Sequence, residues 1–484
     1  MSFLIAAALL IGGLLGALGF IWCVKSPART IVPLYAALLP IAGAVDVSVP
    51  LPDPFNSLSS VLGALAIAAG LLHATVYRRA RVPSVAIGCW LLFLTWICVT
   101  AFWALDKGAA LRTIAIALPL VLLMAVIGML RTDETDFEVL RIAVMLSGII
   151  VGLYAVGLQV SGAPLPTHGF GQRFSISTDP EQTNPNILAA SLLFPLALAT
   201  ERTIFGGARW LGSRGWRIVG AGGVLLTGAA IFLTASRGGI LSAGGVILAT
   251  LLFSTKVPGG GKQVLRTLAL ALALAISVTT LILLVSPFTP PALTNRIKAR
   301  LVLAPLDRIQ RVQTDDSGRF DIWRVGYLAC RTHCFLGVGP GNFGTIYNDL
   351  FPFAGIENNT GPRRVAHNVY LSLAVETGLV GLTILGIALV VEWVFLSSLP
   401  AETSIPSLKA GVVGLLMANV FLGAIWFKYF WLVFSVNRAA ESVLPRQEIP
   451  SEETGMSHLH WSAYADTRGR TADGETVNQV HAKP

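Results

Sequence analysis

Four arginines and one histidine are the residues of this chain best suited to chemistry. The run RRVAHN, Arg363 to Asn368, sets two guanidinium groups and the imidazole of His367 at the end of the longest polar stretch, Arg364 nearer the ring in sequence. Arg237 sits in FLTASRGGILSAGG, a hairpin of a few residues between two apolar runs. Arg173 is the single basic residue of GFGQRFSISTDPEQTNPNILAASLL, and Arg319 lies in DDSGRFDIWRVG. Guanidinium forks match anionic oxygens and keep their proton. An imidazole titrates near neutrality and can take a proton. An arginine beside hydrocarbon is costly and calls for an anionic partner. The bland alternatives are a solvated loop charge for Arg173, a side chain reaching headgroups for Arg237, and ordinary surface charges for Arg319, Arg324 and Arg331.

His367 and Glu376 do not read as a catalytic pair. On one helix, nine residues turn through about 900° and advance about 13 Å, which puts the two on opposite faces. Glu376 is expected to fix the junction between loop and membrane. Between them and Arg319, GVGPGNFG (Gly337 to Gly344) has no strand-to-helix setting, so it is not a dinucleotide site. Asn184-Pro185-Asn186 reads as a capped helix start. Cys330 and Cys334 flank His333 in CRTHC, too few ligands for a metal site. Cys23, Cys89 and Cys98 lie in apolar runs and read as packing residues.

The elements that position these groups are helices in a bilayer. The chain has 484 residues, 54% hydrophobic and only 13% charged, against about a quarter charged in soluble domains. Apolar runs fall at 3–24, 30–46, 58–77, 83–103, 112–130, 141–161, 185–201, 218–235, 239–254, 266–286, 379–399 and 408–425, with a short one at 427–436. Most are long enough to cross a bilayer core. The fold class is therefore all-α and polytopic, with about twelve transmembrane helices. The first run lacks a basic leader and a clean cleavage site, so it reads as a span. The net charge of +9 suits lipid headgroups; no basic run is interleaved with aromatics, so nucleic acid is not a partner. Alternate loops are rich in Lys and Arg and should be cytoplasmic. That places 47–57, 104–111, 162–184, 236–238 and the long loop outside. Five regions follow: 1–161 and 162–286, both transmembrane, the latter with short Arg-bearing loops; the loop 287–378; transmembrane 379–437; and a polar tail, 438–484, that reads as disordered. If 408–436 forms two short crossings hinged near Trp426 and Lys428, the tail lies inside.

The motifs together resemble the O-antigen ligase and O-antigen polymerase superfamily of bacterial envelope proteins. The resemblance spans roughly 169–434. It rests on H-N-x-x-L-x-x-x-x-E-x-G-x-x-G, met by His367, Asn368, Leu371, Glu376, Gly378 and Gly381. It rests also on S-G-R-x-x-x-W from Ser317 to Trp323, G-x-G-P-G-N-F from Gly337 to Phe343, the S-R-G-G hairpin at Ser236 to Gly239, and the N-P-N start. The resemblance implies a multi-pass protein of the bacterial inner membrane, of the GT-C type, with a large periplasmic loop and its active site facing the periplasm. It implies metal-independent transfer of a glycan, without a cofactor, from an undecaprenyl-diphosphate-linked donor to a hydroxyl of lipid A-core or of another glycan. By motif position the functional residues are Arg237 and His367, then Arg173 and Arg319. A diphosphate leaving group gains charge as its glycosidic bond breaks, which assigns Arg237 and Arg173 to it. His367 becomes the base or acceptor orienter, and Arg319 and Arg364 further anion contacts. Ligase and repeat-unit polymerase share these motifs; a single long outer loop favours the ligase. A transporter would show charges at mid-membrane and two similar halves, and neither is seen.

Overall fold

The apolar runs are helices in the computed structural model, which describes residues 16, 18–41, 57–77, 80–161, 173–176, 184–207, 213–285, 319–355, 364–400, 405–423 and 425–443. In chain order they are α1 Ile31–Leu38, α2 Leu58–Val76, α3 Val85–Thr100, α4 Lys107–Met129, α5 Glu134–Ser161, α6 Pro185–Ser191, α7 Leu193–Phe205, α8 Ser213–Leu233, α9 Arg237–Ser254, α10 Gly260–Val285, α11 Arg319–His333, α12 Phe343–Leu350, α13 Val369–Glu376, α14 Gly378–Ser397, α15 Pro406–Asn419 and α16 Lys428–Val443. Among the described residues, eight segments are long and apolar enough to cross a membrane: α2, α3 with its extension to Trp103, α4, α5, α6 with α7, α8, α9 and α14. The expected total of about twelve includes runs that are shorter or lie partly outside the described residues. The polar tail beyond 443, the start of the first run and the loop 47–56 lie outside them.

The run at 185–201 forms two helices. Pro195 has no N–H to give the Ser191 carbonyl, and the chain breaks at Leu192 before resuming as α7. Most of α7 is buried, and α8, α9 and α15 pack around it. Close approach there depends on small residues, as between helices in lipid. In the G-x-x-x-G of α5, a β-carbon on Gly152 would lie 2.4 Å from the Leu226 carbonyl oxygen of α8, and one on Gly148 would lie 2.6 Å from Pro195.

The two ends of the bundle differ electrically. At one end, arginines pair with carboxylates: Arg29 with Asp133 and Asp136, Arg141 with Glu201 and Glu138, and Arg202 with Glu138. Glu201 also accepts the Ser407 N–H at 2.8 Å, which ties the start of α15 to this end. These are the arginines of the Lys- and Arg-rich loops. At the other end lie the α3–α4 connection, Arg173, the α8–α9 turn and the helices α11 to α13.

Both short helices near the C-terminus traverse the bundle. α15 leaves Glu201 and ends near the α8–α9 turn, where Phe421 packs on Gly238. α16 starts where Lys428 donates to Ser57, Ser59 and Ser60. It ends where Thr132 meets Ala439 and Ser442. The chain is thus hinged between Asn419 and Lys428. The helix continues beyond 437, where the tail was expected to begin. Arg438 and Glu441 sit inside α16, and Arg438 pairs with Glu392 of α14 at 2.7 Å, Arg438 being 1% and Glu392 0% exposed. Polar composition read locally as tail; the partner that pays for its burial is 46 residues away.

Gly152→Leu should separate α5 from α8 and lower thermal stability in detergent, by more than the about 1–3 kcal/mol of ordinary overpacking, because the clash is with backbone. Gly157→Leu, whose β-carbon would meet nothing within 4 Å, should leave the melting temperature unchanged.

Candidate active site

Arg173 is held by neutral oxygens. Its Nε donates to the Thr234 carbonyl at 2.9 Å and one terminal nitrogen to Asn186 Oδ1 at 2.8 Å. The next residue, Phe174, is fully buried and donates its N–H to the Leu233 carbonyl. A short loop is thereby fastened to the end of α8 and the start of α6. Asn184 caps α6, its Oδ1 accepting the Asn186 N–H at 3.0 Å, as the N-P-N start led one to expect.

Arg237 is the first residue of α9 and is exposed. The turn that presents it is tight: Thr234 Oγ1 accepts the Ser236 N–H, and Ser236 Oγ caps α9 by accepting the Gly239 N–H at 3.1 Å. Between them Ala235 has φ +50°, a conformation that a side chain makes costly.

The stretch after 319 is a small helical layer with its own core. Ile322, Val325 and Ala329 of α11 pack with Phe343, Ile346 and Tyr347 of α12 and with Ala366 and Val375. The expected long irregular loop is thus largely helical in its described part. Ser317, Gly318 and Arg363 lie outside the described residues. Arg319 opens α11, and Trp323 Nε1 donates to the Ala366 carbonyl at 3.0 Å, which fixes the segment carrying Arg364 and His367. His367 precedes α13 rather than lying in it. Its φ is +48°, and Asn368 Oδ1 caps α13 by accepting the Leu371 N–H at 3.0 Å.

Glu376 fastens this layer to the membrane helices. Its carboxylate accepts the N–H groups of Gly341 at 2.9 Å and Phe343 at 3.3 Å, and the Ser372 hydroxyl at 3.2 Å. Burial pushes its pKa up, and those three donors oppose the shift. Asn342, fully buried, accepts the Asp106 N–H at 2.7 Å, while Leu105 donates to the Val338 carbonyl. Gly337, Gly339 and Gly341 all have positive φ, the conformation that glycine permits. The G-x-G-P-G-N-F motif is therefore a connector between the α3–α4 turn and the end of α13. Sequence reasoning placed Glu376 at the junction, and these partners, far apart in the chain, account for it. Asn186, Thr234 and Asn342 were not among the expected site residues; the N-P-N and G-N-F motifs were the signal for the two asparagines, and the hairpin stretch FLTASRGG for Thr234.

The charged groups stand close enough to perturb one another. Arg173 is lowered to about 10, first by burial and then by repulsion from Arg319. Arg319 is lowered by burial and by Arg237. His367 is pushed down to about 4 by burial, then by Arg319 and Arg364. At neutral pH Arg173 stays charged and His367 is neutral. Separate segments thus bring all five expected site residues to one end of the bundle. The starts of α9 and α11 carry two of them, so partial positive charge from helix dipoles adds to the arginines. Among the described residues, no three His, Cys, Asp or Glu side chains gather where one metal ion could sit.

Residues 222–386 match the family model described as O-antigen ligase. This match supports the O-antigen ligase superfamily. No curated protein matches the chain. The matched segment runs from within α8 to within α14, so this O-antigen ligase region contains Arg237, Arg319, Arg364 and His367 and leaves out Arg173. That family is enzymatic, of the ligase and polymerase kind, and acts in glycan transfer at membranes.

Replacing Glu376 with Ala should leave the Gly341 and Phe343 N–H groups unpaired, at about 1–3 kcal/mol for each group stranded. Amide hydrogen exchange across 338–345 should accelerate, less so in Glu376→Gln, which keeps an acceptor. Unchanged exchange in Glu376→Ala would remove the clamp role.

Proposed function

We propose that this protein is a glycosyltransferase that moves a glycan from undecaprenyl diphosphate to a hydroxyl of lipid A-core, at the periplasmic face of the inner membrane. The observation that carries this reading is the placement of Arg319 near both Arg173 and Arg237, beside His367 and Arg364. A fold that holds like charges together gains when an anion enters among them. A diphosphate is such an anion, and a lipid tail would leave it at this level, at the ends of the spanning helices.

In this mechanism Arg237 and Arg173 hold the diphosphate, with Arg319 and Arg364 as further contacts. The acceptor oxygen attacks the anomeric carbon as the bond from that carbon to the diphosphate oxygen breaks. His367 takes the acceptor's proton, and the electron pair leaves on the diphosphate, where fixed cations stabilise it. Attack from the opposite face inverts the anomeric centre. The low pKa of His367 gives the donor a second task. Without donor, Arg319 and Arg364 make the imidazole a poor base. A bound diphosphate offsets their field and raises its pKa towards the ordinary value, so the base strengthens only when donor is present.

The test is transfer by purified protein in liposomes, from a lipid-linked O-antigen to lipid A-core or to a second lipid-linked repeat unit. Arg237→Ala should lower kcat/KM by about 10²–10³, and His367→Ala by about 10²–10⁴. Undiminished transfer by both variants would sink the site assignment, product only on the second lipid-linked unit would make it a polymerase, and flux of intact donor across the bilayer without transfer would make it a transporter.

The pH dependence tests the coupling. A base must be deprotonated, so activity is lost as pH falls through its pKa. The acid limb of kcat/KM, which reports free enzyme, should lie near pH 4. The acid limb of kcat, which reports the donor complex, should lie higher, and Arg364→Ala should raise the kcat/KM limb towards the ordinary histidine value. Superimposable limbs in wild type would refute donor-coupled activation.

A further inference from the structure

A second polar cluster stands away from the arginines, at the head of an apolar groove. The groove has a volume of about 550 Å³ and lies among α1, α2, α4 and the start of α16. That volume falls within the range of clefts that enclose small ligands. Its walls are aliphatic: Ile67 and Leu71 of α2 face Ile116, Leu118 and Leu122 of α4, over the ring of Tyr35. Leu71, Ile116, Leu118 and Leu122 are also exposed, so the groove opens on the outer surface of the bundle, where a bilayer would lie. One end is polar. Lys428 lines it, with its ammonium on the hydroxyls of Ser57, Ser59 and Ser60.

We infer that this groove binds an anionic phospholipid, with one acyl chain between α2 and α4 and the phosphate at Lys428 and the three serine hydroxyls. An apolar hollow that opens on lipid is filled at least cost by a flexible hydrocarbon chain. The polar end then selects the headgroup. An ammonium with hydroxyl donors around it attracts a phosphate and repels the ammonium of a zwitterionic headgroup. A single lysine suits the one charge of a phosphodiester, whereas the several cations that suit a diphosphate stand on α9, α11 and their neighbouring loops. The site also borders the α15–α16 hinge: Trp426 lines the groove, and Phe421, at the other side of the hinge, packs on Gly238 beside Arg237. A lipid seated here braces the hinge that supports the arginine turn.

The experiment is native mass spectrometry of the full-length protein released from detergent, titrated with phosphatidylglycerol, phosphatidylcholine or undecaprenyl phosphate. Wild type should carry phosphatidylglycerol at least tenfold more than phosphatidylcholine. Lys428→Gln should abolish that preference. Ala64→Trp, at an exposed groove position, should reduce both adducts by obstructing the chain, and it serves as the test should Lys428→Gln fail to fold. Equal occupancy by the two phospholipids in wild type, an undiminished phosphatidylglycerol adduct in Ala64→Trp, or Lys428-dependent binding of undecaprenyl phosphate alone would overturn the proposal.

Discussion

Like charges held together in a half-buried site are the constraint on which this structure turns. Arg319 stands near enough to Arg173 and Arg237 for repulsion, Arg319 and Arg364 disfavour the protonated form of His367, and burial strengthens the effect. Such a cluster would splay unless each member were fixed by something else. Neutral acceptors hold Arg173, a serine cap sets the turn of Arg237, and the Trp323 hydrogen bond fixes the segment of Arg364 and His367. Backbone strain collects in the same place, at Ala235 and His367. Strain and repulsion persist where surrounding contacts over-determine the geometry.

Those contacts come from two kinds of core. Around α7 the helices pack through small residues, as they must where lipid gives no hydrophobic drive for association. Above them, α11, α12 and α13 share an apolar cluster of the kind found in water-soluble domains. Glu376 and the glycine connector join the two. The carboxylate is well placed for this because it accepts several backbone N–H groups at once, which a neutral side chain cannot match.

At the opposite end of the bundle arginine pairs with carboxylates. There the arginines meet Glu138, Glu201, Asp133 and Asp136, and the charges stitch helix ends together. Arginine thus fastens helix ends at this face.

The helices and their approximate ends were legible in the sequence, and five candidate site residues could be named from it, because hydropathy runs, Asn184-Pro185 and the His367-Asn368 motif are local signals. The reading of His367 and Glu376 on one helix did not hold, since the chain turns at His367 before α13 begins. Convergence of the arginines was not legible. Arg173 and Arg319 are 146 positions apart in the chain (319 minus 173), and no local pattern encodes which loop ends a packed bundle brings together. The same holds for Arg438, which composition assigned to a tail and Glu392 draws into the core. Residue type and spacing determined what chemistry the chain could carry. Only tertiary packing decided that its cations act on their neighbours and that the His367 imidazole, buried beside Arg319 and Arg364, rests neutral.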